Sequence, residues 1–339
     1  MTPKMEPFLD STDVMDDGAR LRERLERDGY LFVRGLLPPD AIEAVRERLL
    51  AKAARGGWLD PTQPITAGIA NQDAACKDPE DAYMAVFRDL WADEKLHRLR
   101  THPRVMALFE RIFGESVLVH PMFVQRNIFP QSDQFDFTTQ PHQDKVHIGG
   151  DTNYAMWVPL GDCPMVKGSL AVATGSHRAG VLDTRVGTGA GGMDIAVPIT
   201  GQWVCDDFYA GDVLIFSDVA VHCALPNRTD ELRQSFDARY QPLSQRVADK
   251  NLDTYAGTGS WEEVYSGWEN AEGQYYWREL ALNVVPLDMS YYERRDEMAF
   301  AMAENGDLAS RDALLRIIQR DASATKRSRA SELLAQLDG

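Results

Sequence analysis

Beyond about residue 116 the chain is written in short apolar pieces, and this limits its fold more than any other feature. SVLVHPMFVQ, NYAMWVPLGD, SLAVATG, GDVLIFSDVAVH and RQSFDARYQP are rich in Val, Phe, Tyr or Trp and are separated by Gly, Pro or Asp. β-Branched and aromatic side chains suit a pleated, half-buried surface, and the residues between the pieces are turn formers. Many short strands joined by such turns point to a sandwich or a barrel closed by antiparallel pairing. The expected class is mainly β with flanking helices, the β core occupying roughly 116–245.

The flanks have a different period. Asp40 follows Pro38-Pro39 and is expected to cap a helix with Ile42, Val45 and Leu49 on one face. Val105, Leu108, Phe109 and Ile112 recur at helical spacing until Gly114 ends the run. Residues 56–79, rich in Gly, Pro, Asp and Asn, read as an ordered but irregular crossing. After Pro286 the chain turns helical again, with apolar clusters at Leu314, Leu315, Ile317 and Ile318 and at Leu333, Leu334 and Leu337. The organisation expected is one domain over 1–290, helical in its first 115 residues, then a helical tail over 291–339 that packs on the barrel or makes a dimer contact. The glycine-rich stretch 182–200 reads as a mobile connection and a candidate lid; Pro198 and the lack of a following helix pattern argue against a phosphate loop.

Composition narrows the partners. The chain has 339 residues, 44% hydrophobic, enough for a large core. Its 52 acidic against 36 basic residues give a net charge of −16, which repels phosphate backbones and anionic membranes. Neither nucleic acid nor a membrane is an expected partner; a small molecule is, with the chain a monomer or homodimer. No apolar run nears the roughly 18 residues of a bilayer span, and the polar, acidic start does not resemble a signal peptide. Four scattered cysteines (Cys76, Cys163, Cys205, Cys223) lack any framework spacing, so reduced thiols and a cytoplasmic location are expected.

Seven histidines are present. His142 and Asp144, in QPHQDKVH, are two residues apart, so in an extended chain both side chains project to one side while His147 faces the other. His222 closes GDVLIFSDVAVH on another strand of the same sheet system. Two imidazoles and a carboxylate on one face of a metal leave other positions open, the arrangement that suits non-haem Fe(II). Arg233 lies eleven residues beyond, after the turn-forming PNRTD, where its guanidinium can grip a carboxylate through two parallel hydrogen bonds. Ser235 shares its side of the strand. Arg126, Lys145, Arg178 and Arg185 are candidates for a basic mouth or plain surface charges. A hydrolase built on Cys223 or Ser176 lacks a G-x-S-x-G elbow, and Cys223 alternates away from His222. A metal-binding jelly roll without catalysis is the other alternative.

These residues resemble the phytanoyl-CoA dioxygenase family of Fe(II)/2-oxoglutarate oxygenases. The likeness runs over most of 25–245, through LERDGYLFVRGLLPPDAIEAVRERL, PHQD, MWVPLGDCPMVKGSLAVATGSHRAG and GDVLIFSDVAVH with the arginine eleven residues later. The family usually has proline before Gly-Ser-His, where this chain has Thr174. The resemblance implies a double-stranded β-helix (a cupin-like jelly roll). It implies Fe(II) on His142, Asp144 and His222, and 2-oxoglutarate with its distal carboxylate on Arg233, with O2 as second co-substrate. It also places Trp157, Gln125 and Asn127 near the co-substrate. Hydroxylation of a C–H bond is the expected outcome; desaturation, cyclisation or epimerisation stay open, whereas the retained Asp144 disfavours halogenation.

Overall fold

The core strands carry two apolar faces, and this decides the layering. In a computed structural model that describes residues 5–132, 138–187 and 190–337, the strands are β1 (Tyr30–Val33), β2 (Val117–Val119), β3 (Val124–Ile128), β4 (Tyr154–Pro159), β5 (Leu170–Ala173), β6 (Thr184–Val186), β7 (Met193–Ile195), β8 (Trp203–Val204), β9 (Val213–Ser217), β10 (His222–Ala224), β11 (Arg233–Pro242), β12 (Arg246–Ala248) and β13 (Asn283–Val285). The larger sheet runs β1-β9-β4-β11-β2, with β3 also paired to β11, and the smaller runs β10-β5-β8. Every pairing within these two sheets is antiparallel. The double-stranded β-helix is therefore borne out.

Alternation along the strands sorts the side chains into two layers. Ala155, Trp157, Leu214 and Phe216 point between the sheets, where they meet Leu170, Val172 and Phe208. Their neighbours Met156, Val158, Ile215, Phe236, Ala238 and Tyr240 point outward into the helical layer. Burying both faces of the larger sheet requires helices outside it, and the N-terminal half supplies them.

Those helices are α1 (Gly18–Asp28), α2 (Pro39–Arg55), α3 (Asp81–Trp91), α4 (Glu94–Leu99) and α5 (Pro103–Phe113). In α2, Ile42, Val45 and Leu49 are buried as expected, but Pro38 is the cap and Pro39 opens the helix, so Asp40 sits in the first turn. Its charge there favours the N-terminal end of the helix dipole. Val105, Leu108, Phe109 and Ile112 of α5 are buried, and Gly114 ends it at φ 72°. The crossing at 56–79 is irregular, as its composition implies, with two 3-10 turns and isolated bridges from Leu59 to Ala70 and from Ile69 to Glu231.

Further along, α6 (Lys145–Ile148) and α7 (Trp261–Tyr265) are short, and α8 (Ser290–Glu304), α9 (Arg311–Arg320) and α10 (Ala324–Leu337) form the tail. Two stretches read as continuous strands are broken. SVLVHPMFVQ splits at His120-Pro121 into β2 and β3. GDVLIFSDVAVH splits at a turn closed by Ala220 N–H donating to Ser217 O (2.8 Å), which carries the chain from β9 in the larger sheet to β10 in the smaller. The glycine-rich connection pairs β6 with β7; its residues Thr188 and Gly189 lie outside those described. Among the described residues no helix is long and apolar enough to cross a membrane.

Candidate metal centre and co-substrate pocket

Eighty residues of sequence between the two histidines are closed by one pair of backbone hydrogen bonds. His142 N–H donates to His222 O (3.0 Å) and His222 N–H to His142 O (3.1 Å). Residues exchanging both bonds in an antiparallel pair project to the same side, and the imidazole centroids lie 4.1 Å apart. Asp144 N–H donates to Asp218 O (2.8 Å), which brings the carboxylate alongside. Its Oδ1 is 3.7 Å from His142 Nε2 and 3.8 Å from His222 Nε2. All three potential ligand atoms lie within 4.8 Å of one another.

Proton positions follow from the partners. His142 Nδ1 faces Gln140 O (2.8 Å) and His222 Nδ1 faces Ala220 O (3.0 Å). A carbonyl only accepts, so in the neutral ring each Nδ1 carries the hydrogen and each Nε2 presents its lone pair toward Asp144. Burial, with His222 nearby, pushes His142 down to about 3, so the ring stays a neutral donor. Burial alone would raise Asp144, but Arg239 and the two imidazoles hold its carboxyl well below the usual range. Two lone-pair nitrogens and one carboxylate oxygen suit a borderline divalent ion such as Fe(II). The site therefore fits the metal.

Sequence reading missed Arg239. Its Nη2 donates to Asp144 Oδ2 (2.7 Å), and Nη1 donates to Asp237 Oδ1. Asp144 thus presents one oxygen to the centre while the other is held. The signal was in RQSFDARYQP. Positions 233, 235, 237 and 239 are Arg, Ser, Asp and Arg, on a strand whose other face carries Phe236, Ala238 and Tyr240. Charged residues on the face between the sheets imply a site there.

Arg233 lies on this inner face, 3% exposed. Its Nη1 donates to Ser235 Oγ (2.6 Å), its Cζ lies 5.9 Å from the Trp157 ring centroid, and its buried Nε has no partner. No carboxylate among the described residues forms an ion pair with it. Burial lowers its pKa, marking an environment that disfavours the cation until an anion arrives. Trp157 packs edge-on against Phe208 (centroids 4.8 Å apart) and forms a wall beside Arg233.

Gln125 and Asn127 do not belong here. In the β3–β11 register Asn127 pairs with Gln234 and Gln125 with Phe236, so both side chains point outward, away from Arg233 and Ser235. Their amides bond each other (2.8 and 2.9 Å), and Asn127 Oδ1 also accepts from Gln234 Nε2 (2.9 Å). The expectation that they touch the co-substrate is corrected: they tie the larger sheet to the helical layer, where Tyr83 OH meets Asn127.

The other candidates disperse. Arg126 shares the inner face but pairs with Asp78 (3.6 Å), Lys145 with Asp218 (3.2 Å), Arg178 donates to Arg27 O (2.7 Å), and Arg185 is exposed. No basic mouth forms from them. Only His142 of this stretch is bridged to the sheet; Asp144 already has αR backbone (φ −86°, ψ −22°) and caps α6, which turns His147 toward Tyr292 OH (2.8 Å), so the expected extended alternation does not continue through Asp144. All four cysteines are free thiols. Burial pushes Cys223 up to about 12, and Ser176 Oγ accepts from Val221 N–H (2.8 Å), so neither is an activated nucleophile.

Comparison with known proteins agrees with the geometry. The family described as phytanoyl-CoA dioxygenase (PhyH) matches residues 25–235. The chain belongs to this family. As a member it is an oxidoreductase, an Fe(II)- and 2-oxoglutarate-dependent dioxygenase. The 1-deoxypentalenic acid 11-beta-hydroxylase of Streptomyces arenae is 28% identical to it over 264 residues, covering 72% of this chain and 88% of the relative. A probable phytanoyl-CoA dioxygenase of Caenorhabditis elegans is 20% identical over 235 residues, covering 66% and 74%. The crystal structure of the epimerase SnoN in complex with Fe3+, alpha ketoglutarate and nogalamycin RO superposes with a TM-score of 0.50 at 25% identity, covering 72% of this chain and 91% of SnoN. The family match stops at 235, before Arg239 and the helical tail.

Proposed function

We propose that this family member hydroxylates an unactivated C–H bond of a small molecule, with Fe(II) on His142, Asp144 and His222 and the distal carboxylate of 2-oxoglutarate on Arg233 and Ser235. The observation that carries it is one inner sheet face holding both a convergent His-Asp-His set and a buried guanidinium with no ion-pair partner among the described residues. A jelly roll that only bound metal would have no use for that guanidinium, since an uncompensated buried charge is costly.

Iron, 2-oxoglutarate and O2 together supply the oxidising power, with release of succinate and CO2. The chain supplies the geometry. The carbonyls of Gln140 and Ala220 hold the imidazole tautomers, Arg239 holds the carboxylate, and Arg233 sets the co-substrate's direction. Trp157 and Phe208 keep water from the guanidinium. Hydroxylation is favoured over other oxidations because the Streptomyces relative is named for it. A cytoplasmic protein without nucleic-acid or membrane partners fits the charge of −16.

The test is an anaerobic visible spectrum of metal-free protein given Fe(II) and then 2-oxoglutarate. Chelation of Fe(II) by the keto acid gives a weak charge-transfer band. The band should form with the native chain, vanish in His142→Ala and weaken in Arg233→Ala. Iron bound without any band would refute the assignment.

A further inference from the structure

Strand β3 leaves its inner side partly open. Its outward residues Gln125 and Asn127 are buried, whereas Val124, Arg126 and Ile128, which face between the sheets, are half-buried. Among the described residues β3 pairs with β11 alone, so this face lies at the edge of the larger sheet. Arg126 stands directly opposite Ser235. It is therefore level with the stretch of β11 between Arg233 and Arg239, one strand nearer the opening.

Arg126 also has hydrogen-bond donors to spare. Asp78, its ion-pair partner, is already held by two other groups: Oδ1 accepts from Arg320 of α9, and Oδ2 accepts from Tyr255 OH (2.9 Å). Arg126 Nη1 lies 3.6 Å from Oδ2, beyond a hydrogen bond. Among the described residues its guanidinium donates no hydrogen bond, although it carries five N–H groups and its side chain is 31% exposed.

The charge around it is unequal. Four guanidinium groups (Arg126, Arg233, Arg239, Arg320) and three carboxylates (Asp78, Asp144, Asp237) lie on or beside this face, each more than two-thirds buried. The flanking Lys77, Glu80, Asp312 and Arg316 balance among themselves, as do Lys145 and Asp218. Fe(II) and the dianion 2-oxoglutarate cancel, so the loaded site keeps one positive charge too many. This excess stands in a chain of net charge −16, which has no shortage of acids. An unmatched buried cation is costly, and an arriving monoanion removes that cost.

We propose that Arg126, backed by Arg320 of the helical tail, anchors a carboxylate on the substrate, so that this oxygenase acts on a small organic monoanion. The inference rests on the iron-site reading above and adds the charge of the substrate and the residue that reads it. Arg320 is a positioning residue: it holds Asp78 and so keeps that carboxylate from closing on Arg126. It belongs to the tail, outside the family match that ends at 235.

The test uses anaerobic protein holding Fe(II) and 2-oxoglutarate. Cyclohexanecarboxylate is the probe, its neutral amide the control of equal shape, and cyclohexyl phosphate the more highly charged one. Binding is measured by calorimetry, and the charge-transfer band is recorded in the same samples. The native chain should bind the carboxylate about tenfold or more tighter than either control, with the band kept. Arg126→Met should bring the carboxylate down to the level of the amide, and Arg126→Lys should keep part of the preference. Arg320→Met, which releases Asp78 onto Arg126, should weaken carboxylate binding about threefold or more. Carboxylate bound no tighter than both controls, a preference that survives Arg126→Met, or a band lost on adding the carboxylate would each overturn the anchor, while the native band left the iron reading standing. A 2-oxoglutarate requirement raised in Arg126→Met as far as in Arg233→Ala would assign Arg126 to the co-substrate and overturn it too. Unchanged binding in Arg320→Met would overturn the share given to the tail. A carboxylate preference that is lost in Arg126→Met, with no band in the native chain, would overturn the iron reading and leave the anchor.

Discussion

Replacing Arg233 by methionine should make the empty protein more stable and the working protein worse. The side chain is 3% exposed, its Nε is unpartnered, and its pKa is pushed down by burial, all marks of a cation whose burial costs the fold something. Exchanging buried charge for an apolar side chain of similar volume stabilises by about 1–4 kcal/mol in comparable cases. Against this, Ser235 Oγ loses its 2.6 Å partner, which costs about 1 kcal/mol. The net expectation is a gain on the order of 1–2 kcal/mol, read from urea midpoints of metal-free protein. Binding moves the other way. Removing one member of a buried, hydrogen-bonded charge pair costs about 2–5 kcal/mol, hence a rise of roughly 30-fold to several thousand-fold in the 2-oxoglutarate concentration needed for half of the charge-transfer band. Opposite signs are the point, because a merely structural arginine would give a less stable apoprotein and little change in binding. An Arg233→Met apoprotein less stable than the native chain, or one with native 2-oxoglutarate affinity, would refute the reasoning.

Arg239→Met should do the reverse to the apoprotein, destabilising it by about 3 kcal/mol, because it takes from Asp144 and Asp237 the guanidinium they share. Adding Asp237→Asn should recover part of that loss, and a double variant no more stable than the single one would speak against the pair. Gln125→Leu should destabilise the fold by about 1–3 kcal/mol, read from urea midpoints, while leaving 2-oxoglutarate affinity within about twofold, since the amide bonds Asn127 and, at 3.5 Å, Arg126 O, on the outward face of the sheet. Acid should weaken the metal-free fold. Burial holds His120 and His147 to about 4 and His142 to about 3, all below the unfolded value near 6.5. Depressed histidines contribute stability fully above about pH 6.5 and lose it as pH falls toward the folded values, at on the order of 2 kcal/mol for His120 by pH 5. The urea midpoint should therefore drop between pH 7 and 5, less steeply in His120→Gln, and equal slopes for the two proteins would exclude His120 as a contributor.

How much of this was legible depended on the range of the physics involved. The inward polar set on β11 is a two-residue alternation, which any extended strand enforces locally, whereas Asp144 joins His142 from an αR backbone held by its N–H bond to Asp218 O. Helices α2 and α5 declared themselves through their apolar period, down to the glycine that ends α5. Other features needed the partner strand. Gln125 and Asn127 also alternate on a strand, yet alternation says only that they share a face, and the register of β3 against β11 decides which one. The cap of α2 shifted by two residues because Pro38 and Pro39 compete with Asp40 for the same end.

The sequence alone determined that this chain closes short antiparallel strands and carries two histidines, an aspartate and an arginine on that core, because strand period and side-chain chemistry are properties of neighbours. Only the tertiary structure decided that Arg239 holds Asp144, that Gln125 and Asn127 serve the helical layer, and that the tail reaches the β6–β7 connection. Arg239 and Asp144 are 95 residues apart, and Gly191 and Arg295 are 104 apart. Such contacts are chosen by how sheets and helices pack as bodies, and no local pattern encodes that choice.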